Sequence, residues 1–186
     1  MSEENEKTTL EGNGIKLLFG DISLTSVRPV IEWILLENLK PNPLKELSLV
    51  INTCGGDAVA MFALTDVMEG SRIPIKTIAL GEISSCGFFI FIAGAKGKRM
   101  ITPNTSILSH QYSWGRFGKE HELVATNKEY TLLTERVHNF YEKHITITNK
   151  AKKKKVIEEI LLGPSDMYLS AKEALEYGAC DEVKLV

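Results

Sequence analysis

The chain has 186 residues, a formal net charge of −2, 44% hydrophobic residues and 25% charged residues. That length suits one domain with its own core, and the balanced charge removes any general pull toward nucleic acid or anionic membrane. No apolar run reaches the roughly 20 residues that span a bilayer, residues 1–13 hold no apolar signal core, and the three scattered cysteines form no CxxC pair, which argues for a reducing, cytoplasmic setting without a zinc site.

Residues 1–14 read as a mobile polar tail, punctuated by Gly12 and Gly14, ahead of a single domain over 15–186. Ile15–Phe19 is a short apolar strand. Leu24–Leu39 carries Val27, Ile31, Ile34, Leu35 and Leu39 near helical spacing, with Pro29 tolerated in the first turn. Pro41-Asn42-Pro43 stops that helix. Residues 47–51 form a second, buried strand. Thr53-Cys54-Gly55-Gly56-Asp57 then precedes a helix over 58–68. A glycine pair at such a junction lets backbone N–H groups approach a ligand; taken alone, it equally reads as a tight turn.

A third strand, 75–80, runs into Gly81-Glu82-Ile83-Ser84-Ser85-Cys86-Gly87 and an apolar helix reaching about Ala93. A serine here either caps the helix or presents a hydroxyl at its positive end, where developing negative charge is stabilised. Ser84 is read as capping or packing and Ser85 as a nucleophile. Gly94 to Lys98 is a glycine-broken basic turn without the spacing of a phosphate loop. Strands follow at 99–102 and Ser106–Ser109, the latter ending at His110. Gln111 to Gly118 is a loop or short ribbon, and Glu120–His144 a long helix. The basic run Lys150–Lys155 continues into an apolar segment ending at Gly163-Pro164. Without interleaved aromatics it reads as a solvated helix face, not a nucleic-acid patch. Ser170 and Glu173 form a capping box for a short helix with Gly178 at its C′ position, and 182–186 is a last strand. Strand–helix alternation indicates an α/β fold, whose sites sit in crevices at the carboxyl ends of strands.

A serine hydroxyl needs a base to take its proton and a third group to hold that base. His110, at a strand end, is the candidate base; Asp166, before a strand-like segment, is the candidate orienter. From spacing alone, neither is assigned to a shared site.

Five blocks in order carry a resemblance: Gly81-x-x-x-Ser85-x-Gly87, Ala93-Gly94-Ala95-Lys96-Gly97-Lys98-Arg99, Ile107-Leu108-Ser109-His110-Gln111, Asp166-Met167-Tyr168-Leu169-Ser170-Ala171, and Glu173-Ala174-Leu175-Glu176-Tyr177-Gly178-x-x-Asp181. Together they resemble the ClpP family of ATP-dependent serine peptidases, over nearly the whole chain from Ile15. The resemblance implies a ClpP/crotonase-like spiral of repeated β-β-α units with a protruding handle helix, the handle falling at about 111–148 and a basic insertion at about 149–163. It implies a Ser85–His110–Asp166 triad, with oxyanion-hole N–H groups at Gly56 and Cys86 and no cofactor or metal. It implies stacked heptameric rings fed by a AAA+ unfoldase of the Clp type, with triad alignment dependent on assembly. An alternative is a ring subunit that scaffolds or modifies a partner ClpP ring. A crotonase-like acyl-CoA enzyme would share the fold, but no acyl-CoA signature is visible. Departures fall at Cys54, where the family carries proline; at Cys86, commonly Met; at Ser48 and Val50, where the family often has docking-pocket tyrosines; in the short N-terminus; and in the basic insertion.

Overall fold

The computed structural model describes residues 9–111, 115 and 117–186. Its frame is a mostly parallel sheet of seven strands in which β1 (Ile15–Phe19), β2 (Leu47–Thr53), β3 (Ile75–Ser84), β4 (Arg99–Ile101) and β7 (Glu182–Val183) run in that order. β5 (Ser106–Ser109) pairs with β3 in parallel, and β6 (Met167–Leu169) pairs with β5 antiparallel. The mixed α/β architecture is the one expected. Helices α1 (Leu24–Leu39), α2 (Ala58–Gly70) and α3 (Cys86–Ile92) follow the first three strands; α4 (Glu120–His144), α5 (Lys150–Lys155) and α6 (Ala171–Glu176) come later.

The third strand is longer than the pattern 75–80 suggests. Its first half pairs with β4 through Thr77–Ala79, and its second half pairs with β5 through Glu82–Ser84. Gly81 makes the change of partner possible: its φ of 66° is open to glycine, and a β-carbon there would crowd the Asn52 amide at 3.1 Å. The sheet register shifts opposite it, between Ile51 and Thr53, and the bulge re-aims both strands toward the turns that follow them.

All seven residues of α3 are buried, with Phe88, Ile90, Phe91 and Ile92 fully so. Each such side chain contributes about 1.5–3 kcal/mol, which anchors the helix behind Ser85. One face of the sheet packs on this main core; Val50, Ile78 and Met100 form a small separate cluster beside Ile15 and Leu80.

Several expectations change. Within the expected tail, Glu11–Asn13 forms a 3₁₀ turn closed by left-handed Gly14; residues 1–8 lie outside the described residues. Pro29 sits in the second turn of α1, because the capping box of Ser23 and Ser26 starts the helix at Leu24. The basic segment is an α-helix only over Lys150–Lys155 and widens to a π-helix over Val156–Leu161. Its lysines face water except Lys153, which is largely covered and pairs with Glu142; Lys154 and Lys155 pair with Glu158 and Glu159 one turn on. Of the 111–118 loop, Tyr112, Ser113, Trp114 and Arg116 lie outside the described residues. The last strand stops at Val183.

The long helix α4 divides in two. Leu133, Val137, Phe140, Tyr141 and His144 are buried along one stripe of its second half. The first half buries Thr126 and leaves Leu123 and Val124 exposed.

Candidate active site

β3 ends at Ser84 and α3 begins at Cys86, so one residue makes the whole turn. Ser85 has φ 53° and ψ −122°, the only positive φ of a non-glycine among the described residues. A side chain in that region costs of order 1–3 kcal/mol and persists only where its surroundings enforce it. The same strand–serine–helix arrangement raises the nucleophile in unrelated hydrolases. Ser85 stands at the N-cap position but makes no capping bond. Ser84 does not cap either; it is buried in β3 and donates to Glu82 Oε1 at 2.7 Å.

The Gly55-Gly56 loop lies directly against this turn. A β-carbon on Gly55 would fall 2.7 Å from that of Ser85 and 3.3 Å from the Cys86 nitrogen. Both glycines have positive φ, 104° and 144°. The loop is held by Ile22, whose N–H donates to the Gly55 carbonyl at 2.7 Å and whose carbonyl accepts from Asp57 N–H at 2.8 Å. Buried Thr53 accepts from Gly55 N–H at 3.0 Å. The Gly56 and Cys86 N–H groups donate to no acceptor among the described residues. An oxyanion hole requires N–H donors placed in this way beside a nucleophile.

The Cys86 thiol lines the same cleft as Ser85 and His110. It is buried and donates to the Gly56 carbonyl at 3.2 Å, and burial pushes its pKa up, which keeps it a thiol and a poor nucleophile at neutral pH.

His110 lines one small cleft with Ser85, walled by Met61, Phe62, Phe89, Leu133 and Val137. The backbone explains the meeting. Ser84 pairs with Leu108, and the Ser85 N–H donates to the Leu108 carbonyl at 2.9 Å, two residues before His110. Asp166 approaches from the other side. β5 and β6 pair Leu108 with Tyr168 and Ser109 with Met167, the last pair of the ladder; this register, continued one step beyond it, sets His110 opposite Asp166. Asp166 is exposed. Among the described residues no hydrogen bond joins Ser85 to His110, and no ion pair joins His110 to Asp166. The topology thus gathers all three at one end of the sheet and leaves their side chains unlinked in the isolated chain.

Sequence reasoning overlooked Thr53, Ser109 and Tyr141. Thr53, two residues before Gly55, carries the signature of a side-chain-to-backbone turn. Nothing local marks Ser109 or Tyr141, whose partners lie far along the chain. A groove of about 800 Å³ between Leu10 to Gly12 and α1 is lined by none of Ser85, His110 and Asp166; the small cleft holds Ser85 and His110 together.

The mostly parallel α/β sheet thus brings a strained serine, N–H donors and a histidine together at its strand ends. The Clp protease family model matches residues 8–185. The chain is 34% identical over 154 residues, 83% of its length and 71% of the relative's, to the ATP-dependent Clp protease proteolytic subunit of Deinococcus radiodurans. The chain belongs to the Clp protease family. No helix among the described residues is long and apolar enough to cross a membrane.

Proposed function

We propose that this chain is a serine endopeptidase subunit of an ATPase-fed protease. The observation that carries the reading is the strained Ser85 set between the Gly55-Gly56 loop and the cleft of His110. Ser85 Oγ attacks the peptide carbonyl as His110 takes its proton. The oxyanion is held by the N–H groups of Gly56 and Cys86. His110 returns the proton to the leaving amine, and water then releases the acyl group by the reverse sequence. Asp166 holds the imidazole in the required tautomer. The apolar wall of the cleft favours an apolar substrate side chain.

Membership in the Clp family supports ring assembly, feeding by a Clp-type AAA+ unfoldase, and cleavage of unfolded polypeptides. The exposed Leu123 and Val124 of α4 suit a helix that pairs with another copy across stacked rings. Free cysteines at 54, 86 and 180 suit a reducing, cytoplasmic setting.

A second reading, a ring subunit that scaffolds or modifies a partner ClpP ring, draws on the unlinked triad side chains and on Ser48 and Val50 in β2. Two measurements on the assembled protein separate the readings: hydrolysis of a fluorogenic short peptide, and labelling by a serine-reactive phosphonate. The peptidase predicts both, each abolished by Ser85→Ala. Absence of labelling in an assembled sample, with mixed rings formed on co-expression with another ClpP, sinks the first reading in favour of the second.

A further inference from the structure

The basic insertion ends in a feature that the proposed reaction has not used. Ser109, the residue before His110, is buried and donates to the carbonyl of Leu161 at 2.7 Å. Its one proton being committed there, Ser109 Oγ accepts from Tyr141 OH, 2.9 Å away. Gln111, the residue after His110, donates its side-chain N–H to the carbonyl of Leu162 at 3.1 Å. The two neighbours of His110 are therefore tied to consecutive carbonyls at the end of the Val156–Leu161 π-helix.

Those carbonyls are available because a helix leaves its last C=O groups without internal partners. A π-helix turns its backbone more widely than an α-helix and commonly marks a functional segment. Only three residues separate Leu162 from Asp166. The same segment thus grips the strand that carries His110 and leads directly into the residue facing it. Tyr141 completes the brace from α4. It is fully buried, lies against Phe89 of α3 with ring centroids 4.7 Å apart, and reaches Ser109 from behind the cleft. Burial pushes its phenol pKa far up, so the hydroxyl stays a donor at any working pH.

We propose that Tyr141, Ser109 and the carbonyl end of the 156–162 segment form a positioning brace that sets His110 between Ser85 and Asp166. Ser109 and Tyr141 are positioning residues: they act through the backbone of His110 and touch no substrate. The insertion, on this account, supplies acceptors that a shorter connection would lack. The inference rests on the serine-peptidase reading.

The test is steady-state hydrolysis of a fluorogenic short peptide by the assembled full chain, with the rate of phosphonate labelling of Ser85 as a second readout. Ser109→Ala lowers kcat and the labelling rate about tenfold or more, since small misplacement of a reacting group is costly in rate, and leaves KM within about twofold. Tyr141→Phe keeps volume and packing and lowers kcat by a smaller factor. The double variant is within about twofold of Ser109→Ala, because both act on one relay. Ser109→Thr, which keeps the hydroxyl, restores most of the rate. Wild-type kcat in Ser109→Ala and Tyr141→Phe overturns the brace and leaves the peptidase reading standing. So does a loss of rate that follows loss of assembly and returns when assembly is restored. A wild-type protein without Ser85-dependent turnover overturns both.

Discussion

Ser85 and Leu108 are joined by a backbone hydrogen bond of 2.9 Å, from the N–H of one to the carbonyl of the other. The bond extends the β3–β5 ladder one residue past its last pair and carries the strand of His110 to the strained turn. The proposed nucleophile and base are thus placed by sheet register, and register is a stiff determinant: a slip of one residue would turn every side chain to the other face.

Gly55→Ala tests how closely that turn is packed. The new methyl would meet the Ser85 β-carbon at 2.7 Å and the Ser84 carbonyl at 2.9 Å, at a φ that disfavours any β-carbon. We expect a loss of about 2–3 kcal/mol, read as a lower urea midpoint. Peptide hydrolysis falls by at least about 10²-fold, as when an oxyanion donor is lost. A variant as stable and active as wild type would show that the loop stands away from Ser85.

Asp181 is expected to control acid stability. Its carboxylate grips the buried Arg99 guanidinium, with bonds of 2.9 Å to Nε and 2.6 Å to Nη2. Burial raises the Asp181 pKa, but the bonds and charge of Arg99 more than offset it and leave the value below the ordinary one. The contribution is therefore complete above the unfolded carboxylate pKa of about 3.9 and is lost as pH falls through the lower folded value. Asp181→Asn leaves Arg99 buried without its counter-charge and costs about 3–5 kcal/mol at neutral pH. Denaturation midpoints of the two proteins converge as pH drops below about 4. A constant gap down to acid would assign the loss to packing.

The three thiols divide by exposure. Cys54 is exposed, although its hydrogen bond to Asp21 raises its pKa. Burial raises Cys86, and pushes Cys180 to about 11. Brief treatment of the folded protein with iodoacetamide near neutral pH modifies Cys54 first; Cys86 and Cys180 react on unfolding. Cys86→Ala keeps Ser85-dependent hydrolysis within about tenfold, because the donor proposed at this position is a backbone N–H. A drop of 10³ or more would give the sulfur a chemical role.

Exchanging Lys154 and Lys155 for glutamine removes two pairs, to Glu158 at 3.9 Å and Glu159 at 4.0 Å, both well exposed. Each is worth at most about 0.5 kcal/mol. The thermal midpoint is expected to move by less than about 4 °C, and a larger fall would mean that this segment's helical form depends on them.

Local chemistry made much of this protein legible in the sequence. The strands and helices of the first hundred residues announce themselves by apolar spacing, and the Ser170–Glu173 capping box is realised with the Ser170 N–H donating to Glu173 Oε2 at 2.8 Å. The five blocks named Ser85, His110 and Asp166 together with the family, because side-chain type and order along the chain are what a sequence records. Tertiary structure decided the rest. That β3 continues through Gly81 and changes partner depends on a bulge opposite Asn52. That Ser109 is held by Tyr141 and Leu161 depends on contacts across 32 and 52 residues. A lone serine in a strand carries no mark of such partners, since periodicity reports which face a residue takes and is silent on what it meets there.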